Sequence, residues 1–229
     1  MKVFLGAALG VMLVISCVYA TDEIALKTQK DKVSYSMGLS LGNSLMKQPF
    51  EVDMDVFLKG FNDAVHKRKP LMTDQEMRET EIAFQKEMME KQAQTMKTLG
   101  EKNKKEGEAF LAENKRKEGV KTLASGLQYK VLTEGKGASP KATDTVTVNY
   151  KGTLIDGTEF DSSYRRGQPA TFQVNGVIKG WTEALQAMKV GSKWQLFIPS
   201  DLAYGDKGAG PQIGPNSVLV FEVELLSIK

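Results

Sequence analysis

The sequence has one cysteine, Cys17, and one histidine, His66. A structural zinc site needs several Cys and His ligands, a Ser-His-Asp triad needs an imidazole, and a disulfide framework needs paired cysteines. One residue of each nearly excludes all three, so the chemistry is expected to need neither such a nucleophile nor a metal. One-sided charge is lacking too. There are 31 Lys and Arg against 28 Asp and Glu, a net charge of +3, and the charges fall in mixed-sign runs. Without a basic face interleaved with aromatics, nucleic-acid binding is not expected.

Long apolar runs are missing except at the start. Lys2 precedes a nearly unbroken apolar stretch from Val3 to Val18. It is too short and too closely bounded to favour a membrane span, and residues 1–20 read as an export signal. Two processing readings stand. Val18-Tyr19-Ala20 fits a small-residue cleavage site before Thr21, whereas Val14-Ile15-Ser16-Cys17 resembles a bacterial lipobox, with Cys17 as a lipid anchor. Either way the mature protein has no disulfide and is held together by packing.

What is present divides by period. Asp31 is expected to cap a helix from about Lys32 to Lys47, with Val33, Met37, Leu41 and Leu45 as its stripe. Asp53 is expected to cap a second helix to about Val65. Two helices of roughly thirty residues in all fall below the ~40 residues at which a domain stabilises itself without a staple or a partner. Residues 21–70 are therefore expected to form a helical dimerisation domain, as a homodimer. The 11 methionines, most of them between Met37 and Met96, read either as flexible core filling or as an adaptable apolar surface.

Residues 71–118 read as a long connecting helix opened by a capping box, Thr73 to Glu76. Its later part, from Glu101, is so charged that it reads as a solvated helix or stiff linker, with Gly100 and Gly107 as candidate hinges. From residue 119 the period switches to that of strands: 127–132, 145–154, 159–162, 170–174, 192–199 and 217–228. Trp181 to Met188 is the one helical stretch among them. That combination is an α+β domain. Asp156-Gly157 is a strong hairpin signal. Beyond it, Phe160 and Asp161 would point to opposite faces of a regular strand, and Asp161 is either a structural hydrogen-bonder, pairing with Arg165 or Arg166, or part of a site.

VNYKGTLIDGTEFDSS, VIKGWTEAL, LAYG and SVLVFEVELLSI stand in order from Val148 onward. Residues 119–229 thereby resemble the FKBP-type peptidyl-prolyl cis-trans isomerases. DKVSYSMGLSLGNSL, GEAFLAENK and SGLQYKVL extend the resemblance to the Mip (macrophage infectivity potentiator) and FkpA-like subgroup. The resemblance implies an antiparallel half-barrel sheet wrapped on one short helix, with a proline pocket between them. It places Tyr150, Phe160, Asp161, Val177, Ile178, Trp181, Tyr204 and Phe221 around that pocket. Asp161, Tyr204, Phe160 and Trp181 are its catalytic set. Trp181 is the implied floor, the Ile178 N–H and Tyr204 hydroxyl the implied donors to substrate carbonyls, and Asp161 the implied polar wall. Two departures stand out: Ala170 where small members have an aromatic, and Ala209 where many have a histidine. Both bear on the pocket rim.

The resemblance further implies an exported, V-shaped homodimer with chaperone activity, in the periplasm or at the outer membrane or surface of a Gram-negative bacterium. Its partners would be unfolded or partly folded proteins containing proline, and macrolide inhibitors. The chemistry fits the scarcities: rotation about X–Pro breaks no covalent bond, so it needs no nucleophile, metal or cofactor. A holdase with the pocket secondary, or a surface virulence factor, is the alternative.

Overall fold

The computed structural model describes residues 25–229. The export-signal expectation, including Cys17 and the cleavage site, lies outside the described residues. The chain divides into two units, residues 1–73 and 74–229.

In the first unit, α1 spans Gln29–Leu45 and α2 spans Met54–Val65. Asp31 does not cap α1 from outside. Thr28 is the N-cap and Asp31 is N3: Asp31 N–H donates to Thr28 Oγ1 at 3.1 Å and Thr28 N–H to Asp31 Oδ2 at 2.8 Å. This reciprocal box satisfies two otherwise orphaned amides. Asp53 caps α2 as expected, accepting from Asp55 N–H at 3.0 Å and Val56 N–H at 3.1 Å. Neither helix buries an apolar side chain: Met37 is 69% exposed and Val56 67%.

The second unit begins with α3, Asp74–Asn114, 41 residues long. It is followed by β1 (Val120–Thr122), β2 (Gln128–Thr133), β3 (Thr145–Leu154), β4 (Glu159–Ser162), β5 (Ala170–Gln173), α4 (Lys179–Ala187), β6 (Lys193–Ile198) and β7 (Leu219–Ile228). This is the expected α+β architecture. The antiparallel sheet runs β1-β2-β6-β7-β3-β4, with β5 also paired to β3. In β3 and β7 every second residue is buried, as one wet and one dry face require. The dry face carries Val146, Val148, Leu196, Leu219, Val223 and Leu225, against Ala184, Leu185 and Met188 of α4 and its end. Gly180 lets that helix lie close, since a Cβ there would fall 2.5 Å from Ile198 Cγ2.

The later part of α3 is solvated on most of its surface, as its charge implies, but one face is docked, and that face carries both candidate hinge glycines. Gly100, Asn103, Gly107, Phe110 and Asn114 recur at three- and four-residue spacing, one face of a helix, and that face meets the sheet domain. A Cβ at Gly107 would fall 2.6 Å from Val218 Cγ2, and one at Gly100 3.1 Å from Pro215 Cβ. The Phe110 and Phe197 rings lie 6.0 Å apart. Asn114, 2% exposed, donates to Gln128 Oε1 at 3.0 Å, and Gln128 Nε2 donates to Leu111 O at 2.9 Å. The glycines are points of close approach, which is why they are glycines.

Gly107→Ala tests this directly. An exposed hinge glycine would gain about 1 kcal/mol of helix stability on becoming alanine. Here overpacking against Val218, about 1–3 kcal/mol, outweighs that gain. The thermal midpoint is expected to fall by several degrees, and a rise would contradict the packed seam.

Candidate functional site

One end of the α4–sheet interface is open, and the aromatic side chains gather there. The cavity is about 640 Å³, lined by Tyr150, Phe160, Asp161, Phe172, Gly176, Val177, Ile178, Trp181, Tyr204, Ile213 and Phe221. All eight residues expected from the sequence line it. Phe172, Gly176 and Ile213 were not foreseen.

Trp181 is 4% exposed and sits in the first turn of α4. Its ring is met edge-on by Tyr150 at 5.2 Å, Phe172 at 5.8 Å and Phe221 at 5.2 Å, with interplanar angles of 88°, 87° and 79°. Edge-to-face contact is the favoured geometry for aromatic quadrupoles. It leaves the indole face as a flat apolar floor. Among the described residues its buried Nε1–H has no hydrogen-bond acceptor. Phe160 packs on Phe221 at 5.5 Å and 84°. Between them runs Gly152, where a Cβ would lie 2.6 Å from the Phe221 ring and 2.7 Å from the Phe160 ring.

Phe160 and Asp161 do not face opposite ways; both line the cavity. The β3–β4 register shifts between Gly152 and Thr153, which pair with Asp161 and Glu159 and leave Phe160 as the extra residue. Such a bulge re-aims a side chain. The turn before it places Gly157 at φ +88, with Gly157 N–H donating to Leu154 O at 3.0 Å and Leu154 N–H to Thr158 O at 2.9 Å.

Asp161 is the polar corner. It accepts from the Tyr150 hydroxyl at 2.5 Å and from its own neighbour's N–H, Ser162, at 2.8 Å. Arg166, not Arg165, pairs with it and also donates to the Tyr150 hydroxyl at 2.6 Å. Arg165 pairs with Glu159 instead, at 3.3 Å. Partial burial works to raise the Asp161 carboxyl, but the hydrogen bonds from Tyr150 and Arg166 outweigh it and hold it below its ordinary range. Burial, and then the bond to Asp161, push the Tyr150 phenol up. At neutral pH the corner is therefore a carboxylate, a neutral phenol and a guanidinium.

Ile178 is the residue before α4, and the N–H groups of Trp181 and Thr182 both return to its carbonyl, at 2.9 and 3.1 Å. Its own N–H lies outside the helical ladder, and the residue lines the cavity. Tyr204, 41% exposed, also lines the cavity. Neither departure from the expected pattern lines the cavity. Ala170 pairs with Val148 in the sheet, and Phe172, two residues on and on the same face of β5, supplies an aromatic. Ala209 forms a bridge with Ile213, which itself enters the cavity.

Comparison with known proteins agrees with this geometry. Residues 136–226 match the family model described as FKBP-type peptidyl-prolyl cis-trans isomerase. Residues 30–131 match that of the domain amino terminal to FKBP-type peptidyl-prolyl isomerase. The chain is 46% identical to the outer membrane protein MIP of Legionella longbeachae, over 100% of this chain and 98% of that one. It is 50% identical to the peptidyl-prolyl cis-trans isomerase Mip of Coxiella burnetii, over 89% of each. Among solved structures, FkpA from Escherichia coli superposes with a TM-score of 0.71 at 44% identity, covering 90% of this chain and 99% of that one.

The depressed Asp161 carboxyl has a consequence for stability. A carboxyl whose folded value lies below its unfolded value, about 4, contributes stability above that unfolded value and loses it as pH falls through the folded one. The difference in urea midpoint between wild type and Asp161→Asn is expected to hold steady from pH 7 to about 5 and to shrink below about 4. A difference unchanged down to pH 2 would contradict the assignment.

Proposed function

The chain belongs to the FKBP-type peptidyl-prolyl cis-trans isomerases, as a member similar to Mip and FkpA, and from that premise we propose that the aromatic cavity seats the proline ring on Trp181 and releases its imide bond to rotate. The observation that carries this reading is the convergence of the rings of Tyr150, Phe160, Phe172, Trp181 and Phe221, the Tyr204 side chain, one carboxylate and the start of α4 on one open cavity. An X–Pro bond turns over a barrier of ~18–20 kcal/mol because resonance holds it planar, and unaided it takes ~10–100 s. The twisted amide has lost resonance and is less dipolar. A dry wall of Tyr150, Phe160, Phe172, Trp181 and Phe221 therefore disfavours the planar form more than the twisted one. The Ile178 N–H and Tyr204 hydroxyl hold flanking carbonyls. Only such differential binding accelerates rotation, and ~5 kcal/mol of it brings tens of seconds to milliseconds. Asp161 acts by fixing Tyr150 and Arg166 at the polar wall.

The same reading makes residues 1–20 an export signal, with cleavage after Ala20 and lipidation of Cys17 as its two forms. It places the protein in the periplasm or at the outer membrane, supported by the name of the Legionella relative. Residues 21–70 form the dimerisation domain, 71–118 the connecting helix and 119–229 the isomerase domain. Exposed apolar side chains on both helices of the first unit, Val33, Leu41, Val56 and Phe61 among them, support a homodimer. Clients are unfolded or partly folded proteins containing proline, and macrolide inhibitors compete for the pocket. A second reading, a holdase with isomerisation secondary, is favoured by the exposed Met77, Ile82, Met89 and Met96 along α3.

A protease-coupled assay on X–Pro peptides separates these. Trp181→Ala is expected to lose on the order of 10–100-fold in kcat/KM, about 1.4–2.8 kcal/mol, and Asp161→Ala less. A macrolide inhibitor should abolish wild-type turnover. Full suppression of aggregation by Trp181→Ala would support the holdase as an independent activity. Turnover indifferent to the inhibitor would sink the pocket assignment.

A further inference from the structure

Ile213 lines two cavities at once. One is the aromatic pocket; the other, of about 360 Å³, lies under α3 and is bordered by Leu99, Asn103, Gly210, Gly214 and Pro215. The segment from Tyr204 to Ser217 therefore separates the pocket from the long helix. Little within that segment would hold it still. It contains four glycines, of which Gly205, Gly208 and Gly210 have φ of +60, +67 and +56, in the backbone region that glycine's freedom opens. Its internal bonds include the Ala209–Ile213 bridge, at 2.8 and 3.2 Å, Asn216 N–H to Gly205 O at 2.8 Å, and Ser217 Oγ to Gly214 O at 2.9 Å.

Ile213 is anchored in the core at 8% exposed, and the residues that follow it are restrained by α3. Asn103 Nδ2 donates to Pro215 O at 2.8 Å and reaches Ser217 Oγ at 3.3 Å. Asn216, a non-glycine residue at φ +56, donates from its side chain to Gly100 O at 3.3 Å. Leu99 packs at Gly214, where a Cβ would fall 3.1 Å from Leu99 Cδ2. Three consecutive loop residues, Gly214, Pro215 and Asn216, are thus gripped by one turn of α3 immediately beside the residue that enters the pocket.

We propose that Asn103, with Leu99, is a positioning residue for the isomerase reaction: α3 holds the Tyr204–Ser217 segment so that Ile213 and Tyr204 form a fixed wall for the bound peptide. The inference rests on the pocket reading given above. Its effect falls on binding, because Ile213 and Tyr204 border the substrate while the floor and polar corner are built from other elements. Releasing the grip lets the wall sample open forms. Peptide affinity then drops by the fraction of time the wall is formed, and turnover of bound substrate is spared.

The test uses the full chain with Asn103→Ala, Asn103→Asp and Leu99→Ala. Asp keeps the shape of Asn but sets a carboxylate against the Pro215 carbonyl. The expected result is a KM raised about 3–10-fold with kcat within about twofold, Asp exceeding Ala, and faster amide hydrogen exchange confined to residues 205–217. Wild-type KM and wild-type exchange in all three variants would overturn the proposal. So would a fall in kcat at unchanged KM, or losses that simply track a lowered melting temperature. Trp181→Ala run alongside separates the two readings. If it is inactive while the α3 variants behave as wild type, the pocket stands and the positioning role fails; if it is fully active, the pocket itself fails.

Discussion

The catalytic unit depends on how closely α4 lies against the sheet, and that distance is set where Gly180 meets Ile198. With no Cβ in the way, the helix starts low on the dry face, so the next residue, Trp181, reaches the floor of the cavity and does not stand above it. The three edge-on rings around it are possible only at that depth. The same start leaves the N–H of Ile178, a residue lining the cavity, outside the helical ladder. Both features lie in one short segment around one close contact. A second close contact, at Gly152, lets Phe160 and Phe221 meet over a strand that would otherwise hold them apart.

The polar corner is arranged so that its charge costs little. Asp161 is only partly buried, and its carboxylate is met by a phenol, a backbone N–H and a guanidinium that stacks over the Tyr150 ring at 5.3 Å. A carboxylate left unpartnered beside five aromatic rings would have its pKa driven up by desolvation. Here the balance runs the other way, because the hydrogen bonds favour the charged form more than burial disfavours it. The polar corner is thus charged and fixed, and it is joined to the aromatic rings through Tyr150.

Much of this was legible in the sequence, and what was not has specific causes. Strict alternation in Val146, Val148 and Tyr150 gave β3 and its buried face, because period two is direct evidence of one dry side. The pocket residues came from four spaced motifs, not from periodicity. Phe172 could have been found by alternation from Ala170, since both lie on one face of β5. The joint inward aim of Phe160 and Asp161 could not, because a bulge leaves no local signature when neither residue is glycine. Thr28 was passed over as the cap of α1 because Asp31 is also a good capping residue; the box needs both. The seam of α3 was hidden for a different reason. Its contacts are made by Gly100, Asn103, Gly107 and Asn114, small or polar residues that a search for apolar stripes discards. Its large apolar residues, Leu99 and Phe110 among them, are too sparse to read as a stripe.

That seam gives the long helix two different faces along its length. Up to about Leu99 its large side chains, Met77, Ile82, Met89 and Met96, stay exposed, while from Gly100 onward it is bonded into the sheet domain. A helix of 41 residues spans about 60 Å, and a span of that length is useful only if its root is stiff. Small residues at the root bring backbones close and place hydrogen bonds, at Asn103 and Asn114, where apolar packing alone would let the helix slide. Glycine in mid-helix ordinarily weakens it by about 1 kcal/mol. At Gly100 and Gly107 that weakness is offset by the docked surface, so the positions that would bend most readily in a free helix are the ones held most closely.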